Sequence, residues 1–395
     1  MKNKIKYYIQ QVLTHLIITA TSGAVLQTFL MEYGFSEQRV NIYTSVMQIL
    51  QVAVIILFSK FVDRTRNVIK LSAVMRTFEI PFLIILLVLC FFTGLNKNTV
   101  FIVLFAFGAL YAISMGTRSV IEYKIPYNIM DIRDYGKITS FCGVLIGIFS
   151  VGFSFLLSLL QSSTEYFFSM KIIFIITAVM IVSCISVTSV MRTTHEMPPP
   201  EKKEKTNIFK YKPYTRLIIP NLTRGFSSGI VGMAVTIGYF TGDINSSSAS
   251  YIVITTSVVT IVGCLAFSFV SRRTKDGLLL LVCSIVNAAT IPLLTVGGST
   301  LFLIMFGITC FVKTIIDYGV PVTITKIIDY KIAGQYSAWR MLLHTLGNSI
   351  AGFVCIPLFL GIGVTPTLII AGIMQLICGI WYFFYLKLYP PRLTA

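Results

Sequence analysis

Arg118-Ser-Val-Ile-Glu122-Tyr-Lys-Ile-Pro126 and Lys313-Thr-Ile-Ile-Asp317-Tyr-Gly-Val-Pro321 are two versions of one stretch. Every position except Lys124/Gly319 holds the same residue or a chemical equivalent, and the same offset aligns Asp134-Tyr135 with Asp329-Tyr330. Apolar helices resemble one another through composition, but composition does not put a cation, an acid, a tyrosine and a proline in one frame. The chain therefore repeats internally, as chains built from two duplicated halves do. Two further matches agree. Phe58-Ser59 with Arg64-Thr65-Arg66 corresponds to Phe267-Ser268 with Arg273-Thr274-Lys275, and Ile80-Pro81 corresponds to Ile291-Pro292.

The repeated stretch is embedded in apolar sequence. Of 395 residues, 55% are apolar and 12% charged, with a mean hydropathy of +0.83. A soluble chain carries about 25% charged residues. Half of that cannot cover a water-facing surface, so the class is an all-α polytopic membrane protein. A helix needs about 20 apolar residues to cross the hydrocarbon. Cutting at clusters of charge, Pro, Gly and Asn predicts twelve transmembrane helices at 9–31, 39–62, 71–94, 99–123, 138–160, 167–190, 214–240, 250–271, 277–296, 299–321, 336–360 and 364–387. The start Lys2-Asn-Lys4-Ile-Lys6 is short, and the span after it too long for a cleaved signal, so the first span is read as retained. The one long polar stretch, with Met197-Pro-Pro-Pro200 and Glu201-Lys-Lys-Glu-Lys205, separates six spans from six. This predicts two parallel-repeat six-helix bundles at 1–191 and 213–395, joined by a cytoplasmic basic linker at 192–212.

The formal charge of +17 has its first explanation in topology. With the N-terminus inside, the inner loops hold the runs around Lys2, Lys60, Lys124, Lys202, Arg272, Lys326 and Lys387, whereas the outer ones hold only Arg39, Lys97 and Lys171. Such asymmetry over short loops places both termini in the cytoplasm. The expected location is a bacterial plasma membrane. A nucleic-acid partner is not needed to account for the charge.

Other classes lack their residues. The eight cysteines sit singly in apolar spans without metal-ligand spacing, there is no GxxxxGK[ST] loop, and no nucleophile–base set is present. The expectation is no metal, no cofactor and no enzymatic activity.

Twelve spans in two parallel halves, a basic central linker and charged loops after spans 2 and 8 resemble the major facilitator superfamily. Ser59-Lys-Phe-Val-Asp63-Arg64-Thr65-Arg66 keeps the Asp-Arg of that superfamily's loop between spans 2 and 3, without its glycines. Ile125-Pro126-Tyr127-Asn128 and Ile328-Asp329-Tyr330 resemble elements of the glycoside–pentoside–hexuronide cation symporters. The resemblance implies a monomeric secondary active transporter working by alternating access on a small-molecule substrate. It also implies a cytoplasmic gate at Asp63, Arg64 and Arg66 opposite Arg272 and Arg273. Span 2 offers Asn41, Gln48 and Gln51 where a sodium-coupled member would carry aspartates. Protons are therefore the preferred coupling ion and sodium the alternative.

The spans contain Arg76, Glu79, Arg118, Glu122, Arg224, Lys313, Asp317 and Arg340. Left facing lipid, these would cost on the order of 20 kcal/mol, so they must pair, face a wet cavity or lie near an interface. Arg118/Glu122 and Lys313/Asp317 are one helical turn apart and can pair within a helix, and Arg76/Glu79 have similar spacing. Two readings stand: a central cavity that binds substrate and carries a proton on Asp317, Glu122 or Glu79, or clamps at the cytoplasmic ends of helices. Tyr336, Arg340, His344 and Asn348 recur every fourth residue, and the matching frame of the other half is Leu145, Phe149 and Phe153. A stripe confined to one half reads as a substrate surface, with Arg340 anchoring an anionic group. His15, Gln48 and Arg224 complete the substrate-binding candidates. The predicted cargo is a small polar solute, anionic, zwitterionic or sugar-like, with a lipid or lysolipid flippase or a drug exporter on the same fold as alternatives.

Overall fold

The computed structural model describes residues 2–65, 67–129, 134–193, 212–233, 237, 249–270, 275–325, 327–328 and 333–388. Among them every regular element is helical. The first run comprises α1 (Lys2–Thr21), α2 (Gly23–Glu32), α3 (Glu37–Arg64), α4 (Val68–Thr77), α5 (Ile80–Phe91), α6 (Lys97–Ile129), α7 (Tyr135–Ser163) and α8 (Tyr166–Ser189). The second comprises α9 (Lys212–Ile218), α10 (Pro220–Gly232), α11 (Ala249–Val270), α12 (Asp276–Thr290), a 3₁₀ turn (Pro292–Thr295), α13 (Ser299–Thr325), α14 (Ala333–Gly361) and α15 (Val364–Leu388). Ten described segments are long and apolar enough to cross a membrane, and Thr255–Val270 is a shorter apolar helix. The span expected at 214–240 is described only in part, as α9 and α10.

Proline placement explains where spans break. The matched pair Ile80-Pro81 and Ile291-Pro292 interrupts a span in each half: α4 gives way to α5 across Phe78 and Glu79, and α12 gives way to the 3₁₀ turn. A proline has no N–H for the preceding turn and its ring crowds the carbonyl four residues back. Pro220 opens α10 in the same way, at a position where its missing N–H costs nothing. The other repeat-matched prolines, Pro126 and Pro321, lie inside α6 and α13.

The chain forms two compact units, Met1–Met130 with Phe149–Glu201, and Asp131–Ile148 with Lys202–Ala395. In the first unit α1 packs on α8, α3 on α6, and α4 and α5 on both α6 and α8. In the second, α10 packs on α14 and α15, α12 on α13 and α15, and α11 on α13. The core of the second unit is built from Ile230, Phe302, Phe306, Ala351, Cys355 and Leu368. Burial runs opposite to that of a soluble protein. Arg76, Arg118 and Lys124 are among the largest fully enclosed side chains, while Leu57 is 73% and Leu360 74% exposed. Apolar surface outside and polar groups inside is the distribution a lipid solvent selects. All eight cysteines are free and buried, as small packing residues.

Candidate functional site

The first unit gathers four of its intramembrane charges into a crossed quartet. The break at Phe78–Glu79 leaves Arg76 at the end of α4 and Glu79 at the start of α5, so the two do not pair with each other as their spacing suggests. Each reaches α6 instead: Arg76 Nη2 is 2.8 Å from Glu122 Oε1, and Arg118 Nη1 is 2.8 Å from Glu79 Oε1. The expected pairing within α6 is also present, with Arg118 Nε 3.6 Å from Glu122 Oε1. Thr14 of α1 accepts from Arg76 Nη2 and donates to the Gln10 carbonyl. Ser114 donates to Glu79 Oε1 at 3.3 Å and to the Met75 carbonyl. Arg76, Glu79 and Arg118 are buried, and only Glu122 reaches a surface, at 17%. Two cations face two carboxylates, so the set is neutral. Each charge has an opposite charge beside it, although Arg76 Nε and Nη1, Arg118 Nε and Nη1 and Glu79 Oε2 are buried without a hydrogen bond.

The second unit uses the matched residues differently. Arg224 of α10 places Nη2 2.5 Å from Asp317 Oδ1, and Lys313 Nζ lies 3.3 Å from Asp317 Oδ2, the expected pairing within α13. Asn221 orients the guanidinium, since its Oδ1 accepts from Arg224 Nη1 at 3.4 Å while its Nδ2 donates to Tyr382 Oη and to the Ile218 carbonyl. Two cations here share one carboxylate. Lys313 and Asp317 are about a third exposed, at 34% and 33%. Beside them is a narrow cleft of about 10 Å³, lined by Arg224, Ser227, Asn287, Lys313, Asp317 and Gln375 among others.

The α14 stripe divides along its length. Tyr336 is buried. Arg340, His344 and Asn348 are partly exposed. The same helix presses on α10 through three glycines: a Cβ at Gly225 would meet the His344 carbonyl, one at Gly347 would meet the backbone of Leu222 and Phe226, and one at Gly229 would meet Asn348 and Ala351. Asn348 therefore sits against α10, and His344 stands in the same seam with its Nδ1 buried and unpartnered.

His15 on α1 and Gln48 on α3 are exposed, and the His15 carbonyl accepts from Thr19 Oγ1. Asp63 and Arg64 fall in the last turn of α3. Arg66, Arg272 and Arg273 lie outside the described residues, as do Asp329-Tyr330 and most of the linker. Among the described residues no group of three His, Cys, Asp or Glu side chains could hold a metal ion. Sequence reading passed over Asn287, Gln375 and Tyr382. Their signal was present, since a lone amide or a tyrosine hydroxyl in an apolar span must find a partner inside the bundle.

Helices of membrane-spanning length, enclosed ion pairs and an apolar exterior define a multi-pass integral membrane protein with a transporter fold. Residues 7–352 match the family model of the Major Facilitator Superfamily, and the chain belongs to that superfamily. Among solved structures it is similar to a bacterial homologue of the iron transporter ferroportin in an outward-facing state, with 13% identity and a TM-score of 0.82 over 98% of this chain and 100% of that one. It is also similar to the human organic anion transporter MFSD10 (TETRAN), at 12% identity and a TM-score of 0.74 over 96% and 99%. A third is the E. coli fucose:proton symporter FucP, at 10% identity and a TM-score of 0.71 over 97% of each chain. At such identities the likeness is one of fold. A comparison with curated protein sequences found no match.

Proposed function

We propose that this protein is a secondary active transporter that moves a small anionic solute by alternating access, coupled to protons, with its binding groups on the second unit. The observation that carries the reading is the difference between the two copies of the repeat. Arg118/Glu122 is closed into a neutral, enclosed quartet, whereas Lys313/Asp317 joins the buried Arg224 in a set with one cation in excess, in which the Lys313 and Asp317 side chains are a third exposed. On this reading the quartet is a clamp between α4, α5 and α6, and Arg224 and Lys313 recognise the anion. Arg340 adds to the positive field from α14. A solute anion and Asp317 compete for the same two cations, and a carboxylate stripped of its cations in apolar surroundings becomes a proton acceptor. Binding of the anion and uptake of the proton are thereby linked. The fucose:proton symporter and the organic anion transporter of the same fold make each half of this reading chemically familiar, without transferring a substrate. The concentration of basic residues in alternate loops supports a cytoplasmic position for both termini on this reading, with Asp63, Arg64, Arg66, Arg272 and Arg273 as the gate on the same side.

The test is transport in proteoliposomes. An imposed pH gradient, acidic on the uptake side, should drive accumulation of an anion identified by thermal-shift screening. Asp317→Asn should abolish that accumulation while exchange of solute at equal pH continues. Accumulation that follows a sodium gradient and ignores pH would sink the proton assignment. A cargo that is neutral or cationic would sink the anion assignment.

A further inference from the structure

The first unit holds a cavity that the transport reading does not use. Where α1 begins and α8 ends, Asn3, Lys6, Ser189, Val190, Met191 and Arg192 line a space of about 520 Å³. Small-molecule sites run to about 300–1,000 Å³. The segments Asn3–Glu32 and Tyr166–Ser189 are each long and apolar enough to cross a membrane, so their ends put the cavity at the boundary between membrane and water. Its walls are tied together. Asn3 Nδ2 donates to the Arg192 carbonyl at 2.6 Å, and Asn3 Oδ1 accepts from the Arg192 N–H at 3.3 Å. Lys6 Nζ donates to the Val190 carbonyl at 2.5 Å.

A lysine beside the end of a helix satisfies its last carbonyls. That role occupies one of the three donors of Lys6 and leaves Arg192 unexplained. The Arg192 side chain is exposed, and among the described residues its guanidinium meets no acceptor. No described Asp or Glu lines the cavity. Two cations therefore face one space without a counter-charge, and a phosphate offers oxygens to both the guanidinium fork and the ammonium. The flanks discriminate between a phosphate in solution and one carried by a lipid. Ile5 and Ile9 on α1, and Val182 and Val190 on α8, are exposed along the helices that lead away from the cavity. Hydrocarbon chains have a use for those positions and a free phosphate has none.

We propose that the cavity between the start of α1 and the end of α8 binds the headgroup phosphate of an anionic phospholipid, through Lys6 and Arg192. The lipid's chains lie along the exposed apolar faces of the same two helices. The site is built on the first unit and does not depend on the anion reading of the second. Diffuse attraction of basic loops to an anionic surface counts every Lys and Arg alike, whereas this site depends on two particular side chains.

The experiment is native mass spectrometry of the purified full chain, released from nanodiscs holding equal amounts of phosphatidylglycerol and phosphatidylcholine. The natural protein should retain phosphatidylglycerol in preference by about tenfold or more. In Lys6→Gln/Arg192→Gln the ratio should collapse towards one. Arg192→Gln alone, which removes a side chain with no partner to lose, should lower it. Lys275→Gln/Lys387→Gln removes two exposed cations from the inner loops of the second unit and should leave the ratio unchanged. A melting curve in phosphatidylcholine alone checks the folding of each variant. Equal retention of the two lipids by the natural protein overturns the site. So does an equal loss in the second-unit variant, which is the mark of diffuse attraction. Calorimetry with glycerol 3-phosphate in phosphatidylcholine nanodiscs separates the two sources. Binding as tight as that of the lipid, lost in the double variant, would assign the cavity to a soluble phosphate ester and overturn the lipid. A preference that emerges only when Glu196, Glu201 and Glu204 are replaced by Gln would make the linker's own acids the occupant, and overturns it too.

Discussion

Glu79 shows at the scale of one residue what the enclosed quartet demands. Its carboxylate is buried and answers Arg118 at 2.8 Å, with Ser114 as a second donor. Removing one member of a buried pair strands its partner, at a cost of about 3–5 kcal/mol. Glu79→Leu should therefore lower the melting temperature of the detergent-solubilised protein sharply. The double variant Glu79→Leu/Arg118→Met should regain most of the loss. A cycle showing simple additivity would refute the clamp, because coupled neighbours do not add. The pairs one turn apart, Arg118/Glu122 and Lys313/Asp317, were legible from spacing. The crossing partners were not. Arg76 and Glu122 are separated by 46 positions and Arg224 and Asp317 by 93, and helical periodicity says nothing about which helix a face will meet.

At the scale of the element, the seam between α10 and α14 depends on having no Cβ. Gly225 and Gly347 each abut backbone of the other helix, which cannot rotate away as a side chain can. Gly225→Val or Gly347→Val should force the pair apart, and overpacking of this kind costs about 1–3 kcal/mol or more. Gly152 on α7 has open space around its Cβ position. Gly152→Ala should be neutral or stabilising by about 0.5–1 kcal/mol, since glycine is the poorer helix residue. Comparable melting temperatures for Gly225→Val and Gly152→Ala would refute the seam. The sequence located most spans, since apolar runs of bilayer length are unambiguous. The matched Ile-Pro pairs marked two of the breaks. What could not be read was the consequence of the break before Pro81, where Glu79 is delivered to α6 rather than to Arg76. The α14 stripe shows the same limit. Its four-residue period sets the four residues along one helix, but periodicity could not tell that Tyr336 would be buried and Asn348 set against α10.

At the scale of the whole molecule, two features stand out, the asymmetry between the two copies of the repeat and the charge of the loops. The duplicated stretch announced the architecture, because two copies of one frame imply two copies of one unit. It could not announce that the copies would diverge, one into a buried set of two cations and two carboxylates and one into a part-exposed set of two cations on one carboxylate, since both retain a cation and an acid one turn apart. Orientation is open to direct test. With both termini inside, Gly94→Cys, between α5 and α6, should react with a membrane-impermeant maleimide added to intact cells. Lys70→Cys, in the first turn of α4, should react only after the membrane is opened. The reverse pattern would invert the topology. Such an assay ordinarily begins by deleting native thiols. Here all eight cysteines are free and buried within the bundles. The unaltered chain thus already supplies a background silent to surface labelling, on which each added cysteine reports alone and no native packing residue has to be removed.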